Sequence, residues 1–355
     1  MLPAPLTVSL EITPTARFDV INVNDRTKTI ERDLQRFPQA LYCSYHTTAG
    51  YLDQGLVSRL QGLMGIYPYM QIFQTIFPKD AGYHHDELDQ RHDLSEGQRA
   101  VEPRNGDAHL AFIAAGMSNC VRYTIRPRRP QIYFIDLDGM NGGRARRRFS
   151  SIIAFNVEEV VARERFEVPV SSDAVDSVNL KDPGLGLYPQ LHRLITHHGV
   201  TTGRIHLRLP TNEQHAGLTI NEHETLLMRH DLFGVLQDPL RFMADKRRYM
   251  LVDDWAMSSN VVDSPRYDMR QILNDVFDTF GMNQSRAKKV LAQTITVPNG
   301  RFFLMKRSIS LLVFESGLSG QPTVVGGPYQ SPILVQWDKT TSQRRIIEIT
   351  LTRIS

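Results

Sequence analysis

Imidazole is the side chain best suited to ligate a metal or carry a proton near neutral pH. This chain places it in three short polar motifs: His46-Thr47-Thr48-Ala49, Tyr83-His84-His85-Asp86 and Asn105-Gly106-Asp107-Ala108-His109. Other polar clusters read as ordinary protein surface or core. His84 would point away from its neighbour on a strand. His92 lies in a highly charged, solvated stretch, and His197-His198 closes a helix, where a ring can meet the last carbonyls. Glu222, His223 and Glu224 read as a structural hydrogen-bonding group. Cys43 reads as a small buried hydrophobe. The runs Arg126-Pro127-Arg128-Arg129 and Arg144 to Arg148 have no interleaved aromatics, and Asp136 and Asp138 stand between them. They read as solvated hairpins, with phosphate or subunit contacts as the second reading, and nucleic acid is not expected.

The elements that must position these residues recur along the chain. Each half ends in a strand, a polar turn, paired arginines and another strand: Gln131 to Gly139 with Arg144 to Phe155, and Gln330 to Asp338 with Arg344 to Leu351. Such a pattern predicts a hairpin in each half. A helix is expected from an Asp107 cap to Ala114 with Gly116 as terminator, another near Pro189–Ile195 stopping at Gly199, and a third from Ser264 to Gly281 on Met269, Ile272, Leu273, Val276, Phe277 and Phe280. Strands are expected at Leu41–Cys43 and Gly203–Leu209. The polar, Pro-containing stretch at 168–185 reads as a linker, and Gly317–Pro328 as a loop.

With 355 residues the chain exceeds the usual single-domain size, so two domains are expected, 1–170 and 171–355. The 41 basic and 38 acidic residues nearly cancel, which argues against a nucleic-acid footprint. Two cysteines exclude a disulfide framework and suit a reducing compartment. No leader and no membrane-length apolar run is read, so a cytoplasmic protein is expected.

In order and spacing the motifs resemble the YjbQ family, some of whose members are linked to a secondary thiamine-phosphate synthase activity. The first half carries the His-Thr-Thr-Ala, Tyr-x-His-Asp and Asn-x-x-x-His pieces, with Ser118 after Gly116 and Asp136 near the family's late acidic position. It departs at Tyr51-Leu52-Asp53-Gln54-Gly55. The second half keeps Leu218-Thr219-Ile220-Asn221-Glu222 and Arg229-His230-Asp231-Leu232. It places Glu213 at the first family histidine, Tyr249 to Asp253 at Tyr-x-His-Asp, and Gln336 at the late acid. No histidine follows His230. The resemblance therefore implies an α+β chain of two tandem YjbQ-like domains, each an antiparallel β-sheet or sandwich packed with helices, with the chemistry kept in the first.

The resemblance implies a site of His46, His85 and His109, with Asp86 and Asp136 orienting rings. The three imidazoles would bind a divalent metal such as zinc or magnesium. Alternatively they would bind the phosphate of a small ligand with Thr47, Thr48, Asn105 and Ser118, His109 lying in the first turn of its helix. The implied activity is a thiamine-phosphate synthase-like transfer, joining a pyrimidine diphosphate to a thiazole phosphate with loss of pyrophosphate. The rival is a non-catalytic oligomeric binding or scaffold protein. A homo-oligomer, a trimer of tandem subunits, is implied, and no membrane partner.

Overall fold

The computed structural model describes residues 3–239, 241–243, 245–246, 305–315 and 320–355. The expected helix from Ser264 to Gly281 and the Tyr249–Asp253 segment lie outside these residues, as do positions 317–319 of the expected loop. The chain is α+β, with antiparallel sheets and helices. It divides into two compact units that do not follow the halves of the sequence. One contains 1–54, 116–223 and 305–355; the other contains 55–115 and 224–304.

The first unit holds every sheet described. One sheet orders its strands Leu6–Ile12, Arg148–Phe155, Gln39–Ser44 and Cys120–Thr124. Another orders Glu158–Pro169, Arg344–Ile354, Gly203–Arg208, Ser308–Glu315 and Pro322–Val325. In both, with Glu158–Pro169 taken as the start of the second half although it lies within 1–170, the first strand pairs with the last, the last with the second long strand, and that with the next. Two three-stranded sheets repeat the parallel again: Asp19–Asn22, Tyr133–Asp136, Ala49–Gly50, and Asp176–Asn179, Ser331–Gln336, Ala216–Asn221. Register agrees as well. Ala49 pairs with Asp136 and Ala216 with Gln336. Tyr51 bridges to Ser118 and Leu218 to Lys306, each two residues beyond the alanine–acid or alanine–amide pair.

Alternation explains these strands. Along Arg344–Ile354 the positions Arg345, Ile347, Ile349 and Leu351 are buried, with less buried residues between them, the period of a strand with one covered face. Leu187–His197 instead buries Leu187, Leu191, Leu194 and Ile195, the stripe of an amphipathic helix. Gly199 follows it at φ +57°, where a side chain would be strained. Leu41, Cys43, Cys120, Ile153 and Phe155 pack with Leu312 and Ile354 in one apolar cluster, so the large sheets of the two halves share core.

Two expectations change. The strands flanking each arginine run are present, yet they do not form hairpins with each other. Tyr133–Asp136 and Arg148–Phe155 lie in different sheets, as do Ser331–Gln336 and Arg344–Ile354. Buried arginine side chains, rather than a backbone ladder, connect them. The stretch at 168–185 is not a bare linker either. It contains the end of Glu158–Pro169, which pairs with Arg344–Ile354, and the strand Asp176–Asn179.

The second unit comprises the segments that follow Gln54 and His223, thus leaving each half after its Ala49–Gly50 or Ala216–Asn221 strand. Its longest described helix, Leu63–Ile76, was not anticipated; it buries Ile66, Tyr69, Met70, Phe73 and Ile76. Helix Gly106–Ala114 is buried at every position. Asn105 precedes it, and Asp107 lies within its first turn instead of capping it.

Candidate functional site

Within the second unit, His85 and His109 come together. Both are almost fully buried, at 0% and 1% exposure. Their ring centroids are 4.9 Å apart, and a ring nitrogen of each lies within 4.8 Å of the other. His85 sits in the tight turn His84–Asp86, not in a strand. Asp231 holds this turn by accepting the backbone N–H groups of His84 at 3.1 Å and His85 at 2.9 Å. Asp231 itself belongs to a single π-helical turn, Leu227–Leu232, a form that recurs at functional sites. Burial raises its pKa, opposed by those N–H groups and by Lys246, 3.8 Å away.

Asp86 bridges the two motifs. Its Oδ1 meets Nδ1 of His85 at 3.1 Å and accepts the backbone N–H of Gly106 at 3.0 Å. Gly106 is required by contact: a Cβ there would stand 2.8 Å from Cβ of Tyr83. With Nδ1–H donated to Asp86, Nε2 of His85 presents its lone pair. Arg91 Nη1 lies 3.2 Å from that nitrogen. The Arg91 guanidinium is buried and is neutralised by two bonds to Asp93, at 2.9 and 2.8 Å, and by Glu224 at 3.6 Å. Glu224 in turn accepts the N–H groups of Leu226 and Leu227, the structural role read for it.

Two imidazoles, one backed by a carboxylate, form the donor chemistry of a borderline ion such as zinc. Magnesium, which prefers an all-oxygen shell, suits them less. An ion at Nε2 of His85 requires Arg91 to shift, and Asp93 and Glu224 are already in place to keep its charge.

His46, Thr47, Thr48, Ser118 and Asp136 belong to the first unit. There Asp136 and His46 lie at a buried arginine and the residue that follows it. Arg148 donates Nε to Asp136 Oδ2 at 2.7 Å, Nη2 to Asp136 Oδ1 at 2.8 Å, and Nη2 again to the Asp138 carbonyl. The next residue, Phe149, donates its N–H to Nε2 of His46 at 2.7 Å. Burial, then Arg148 and Arg146, push the His46 pKa down to about 3. Its ring is therefore neutral, with the lone pair already used. The carbonyl of Thr47 accepts from Asn221, and that of Thr48 from Leu137. Ser118 pairs with Tyr51 through backbone.

The second half repeats this arrangement with its charges exchanged. Arg345 donates Nε to Gln336 at 3.2 Å, Nη1 to Glu213 at 3.2 Å and Nη2 to the Asp338 carbonyl at 2.8 Å. Ile346, the next residue, donates its N–H to Glu213 at 2.8 Å. Glu213 thus occupies the place of His46, and Gln336 that of Asp136.

Sequence reasoning singled out His85, His109, Asp86 and Asn105, which the fold gathers at one helix start. It missed Arg91 and Lys246. Arg91 was hidden in the charged stretch around His92, where only the bidentate geometry with Asp93 distinguishes a buried cation from a solvated one.

No family model matches the chain, and no curated protein does. Several solved structures overlap it. A YbjQ-like protein of unknown function from Sulfolobus solfataricus P2 is 14% identical, over 56% of this chain and 99% of that one, with a TM-score of 0.27. A hypothetical protein from Aeropyrum pernix K1 is 13% identical, over 54% and 98%, with a TM-score of 0.27. An uncharacterized conserved protein of the yjbq/upf0047 family from Clostridium acetobutylicum is 15% identical, over 53% and 98%, with a TM-score of 0.23. Among the described residues no helix is long and apolar enough to cross a membrane.

Proposed function

We propose that this chain is a diverged tandem pair of YjbQ-like domains with a single small-molecule site at His85 and His109, which binds a zinc-like divalent ion and, with it, a phosphorylated ligand. Duplication is supported by the repeated strand order, the matched register at Ala49 and Ala216, and the shared point at which each half departs into the helical unit. The observation that carries the site is the His85–Asp86 pair packed on His109, both rings buried and one oriented by a carboxylate.

His85 and His109 would hold the ion, which supplies Lewis acidity toward a phosphate oxygen. Asp86 keeps the His85 lone pair aimed away from itself. Arg91, released from Nε2, gives a guanidinium for the ligand's charge. His46 takes no part; it supports the Arg148 network. A transferase joining a pyrimidine diphosphate to a thiazole phosphate, with pyrophosphate leaving, is the activity to assay first. The second reading, a non-catalytic binding protein, is favoured by the Arg91 contact that fills the lone-pair end of His85. Turnover of the two phosphorylated substrates by metal-loaded protein, lost in H109A, supports the enzyme; binding without turnover supports the alternative. The threefold assembly implied by the resemblance is checked by light scattering on the full chain.

A further inference from the structure

Arg129 differs from the other buried arginines of the first unit. Arg148 and Arg345 each meet a carboxylate. Arg129 is 7% exposed and donates Nη2 to the Thr27 hydroxyl at 2.9 Å. Among the described residues its Nε and Nη1 meet no acceptor in hydrogen-bond geometry. The buried hydroxyl of Tyr42 lies beside it: burial raises the Tyr42 pKa, and the charge of Arg129 and an approach from its guanidinium, short of good hydrogen-bond geometry, lower it. A guanidinium withdrawn from water without a counter-charge is costly to keep. Unless an anion completes it, the fold bears that cost with no return.

A cleft of about 420 Å³ opens at this point, and Arg129 lines it. Arg126, Arg128 and Gln131 form much of the remaining wall, and Glu31 is the one acidic residue among the lining groups. Arg126 spends its donors on the carbonyls of Gln35 and Arg36, so it shapes the wall and adds charge. Arg128 is exposed at the mouth. Three guanidinium groups against one carboxylate leave the cleft with an excess of positive charge. The fixed fork of an arginine suits an oxyanion.

We propose that this cleft is an oxyanion site that takes the phosphate group of a small phosphorylated molecule, with Arg129 as its buried charge and Arg128 as the donor that closes on the ligand. Every residue named here belongs to the sheet-bearing unit, whereas His85 and His109 belong to the other.

The test is calorimetric titration of inorganic phosphate into the full chain carrying H109A, so that the histidine pair does not contribute, with chloride at equal ionic strength as control. Saturable phosphate binding is expected. R128Q added to H109A is expected to weaken it at least about tenfold, the loss of one charge-assisted contact. R129Q is expected to abolish it. Should R129Q fold poorly, R128Q at the surface still decides. Heat no greater than with chloride, or unchanged affinity in R128Q, overturns the proposal whatever the fate of the histidine site.

Discussion

The imidazole of His46 accepts the backbone N–H of Phe149 at Nε2, 2.7 Å away, one residue beyond the buried Arg148. Glu213 does the same for Ile346, one residue beyond Arg345. In the first half the acid that neutralises the arginine is Asp136 and the loop acceptor is neutral. In the second the acid is Glu213 and the strand partner, Gln336, is neutral. Arg148 and Arg345 thus each keep one carboxylate, at exchanged positions.

A double-mutant cycle tests that exchange. E213Q leaves Arg345 buried among neutral acceptors, and should cost about 3 kcal/mol in urea unfolding. Q336D on that background should return most of the loss, giving a coupling energy of at least about 1 kcal/mol. Additive effects of the two substitutions would show that the positions are independent.

The His46 ring sets a pH dependence of known sign. Burial and the nearby Arg148 and Arg146 push its pKa down to about 3 in the folded chain, against about 6.5 for a free imidazole. Above pH 6.5 both states are neutral and the ring adds no slope. As pH falls toward 3 the unfolded chain takes up a proton that the folded chain refuses, so stability is lost. H46Q, which keeps an acceptor for Phe149, should show a smaller drop in urea midpoint between pH 7 and pH 4.5 than the parent. Equal drops would mean that His46 titrates normally in the fold.

Cys43 and Cys120 face each other in neighbouring strands, with sulfurs 3.3 Å apart and both side chains buried. The contact with Cys120, then burial, raises the Cys43 pKa. A buried thiol held protonated is a poor nucleophile. Both cysteines should react with a thiol reagent far more slowly in native protein than in denaturant, by at least about a hundredfold. Rapid labelling of native protein would contradict their placement.

In the proposed site Asp86 would orient the ring of its neighbour His85. D86N retains an acceptor but loses the charge behind Nδ1 of His85, and should weaken metal affinity by about 10–100-fold with little change in fold. Competition with a chromophoric chelator measures it. Unchanged affinity would separate Asp86 from the site.

Much of this was legible in residue order. The strands expected at Leu41–Cys43 and Gly203–Leu209 are present as Gln39–Ser44 and Gly203–Arg208, and the helix expected after Asn105 begins at Gly106. The resemblance at Leu218–Glu222 places Glu213 at the position of the first family histidine, and the hydrogen bonds of Glu213 and His46 correspond. What remained hidden depends on partners far apart in sequence. Whether the strand after an arginine run pairs with the strand before it is settled by where Arg148 finds its carboxylate, not by the turn between them. The same holds for His46, whose motif suggests chemistry until its lone pair is seen to be used by Phe149. The interleaving of the two halves into a sheet unit and a helical unit leaves no compositional boundary to read.

The most direct test is the metal content of the purified full chain beside H46Q, H85A and H109A, measured by mass spectrometry of the elements after dialysis against zinc and removal of excess. We expect close to one zinc per chain in the parent and in H46Q, and loss in H85A and H109A with circular dichroism unchanged. Metal absent from the folded parent, or retained in H109A, would contradict a site built on the His85–His109 pair.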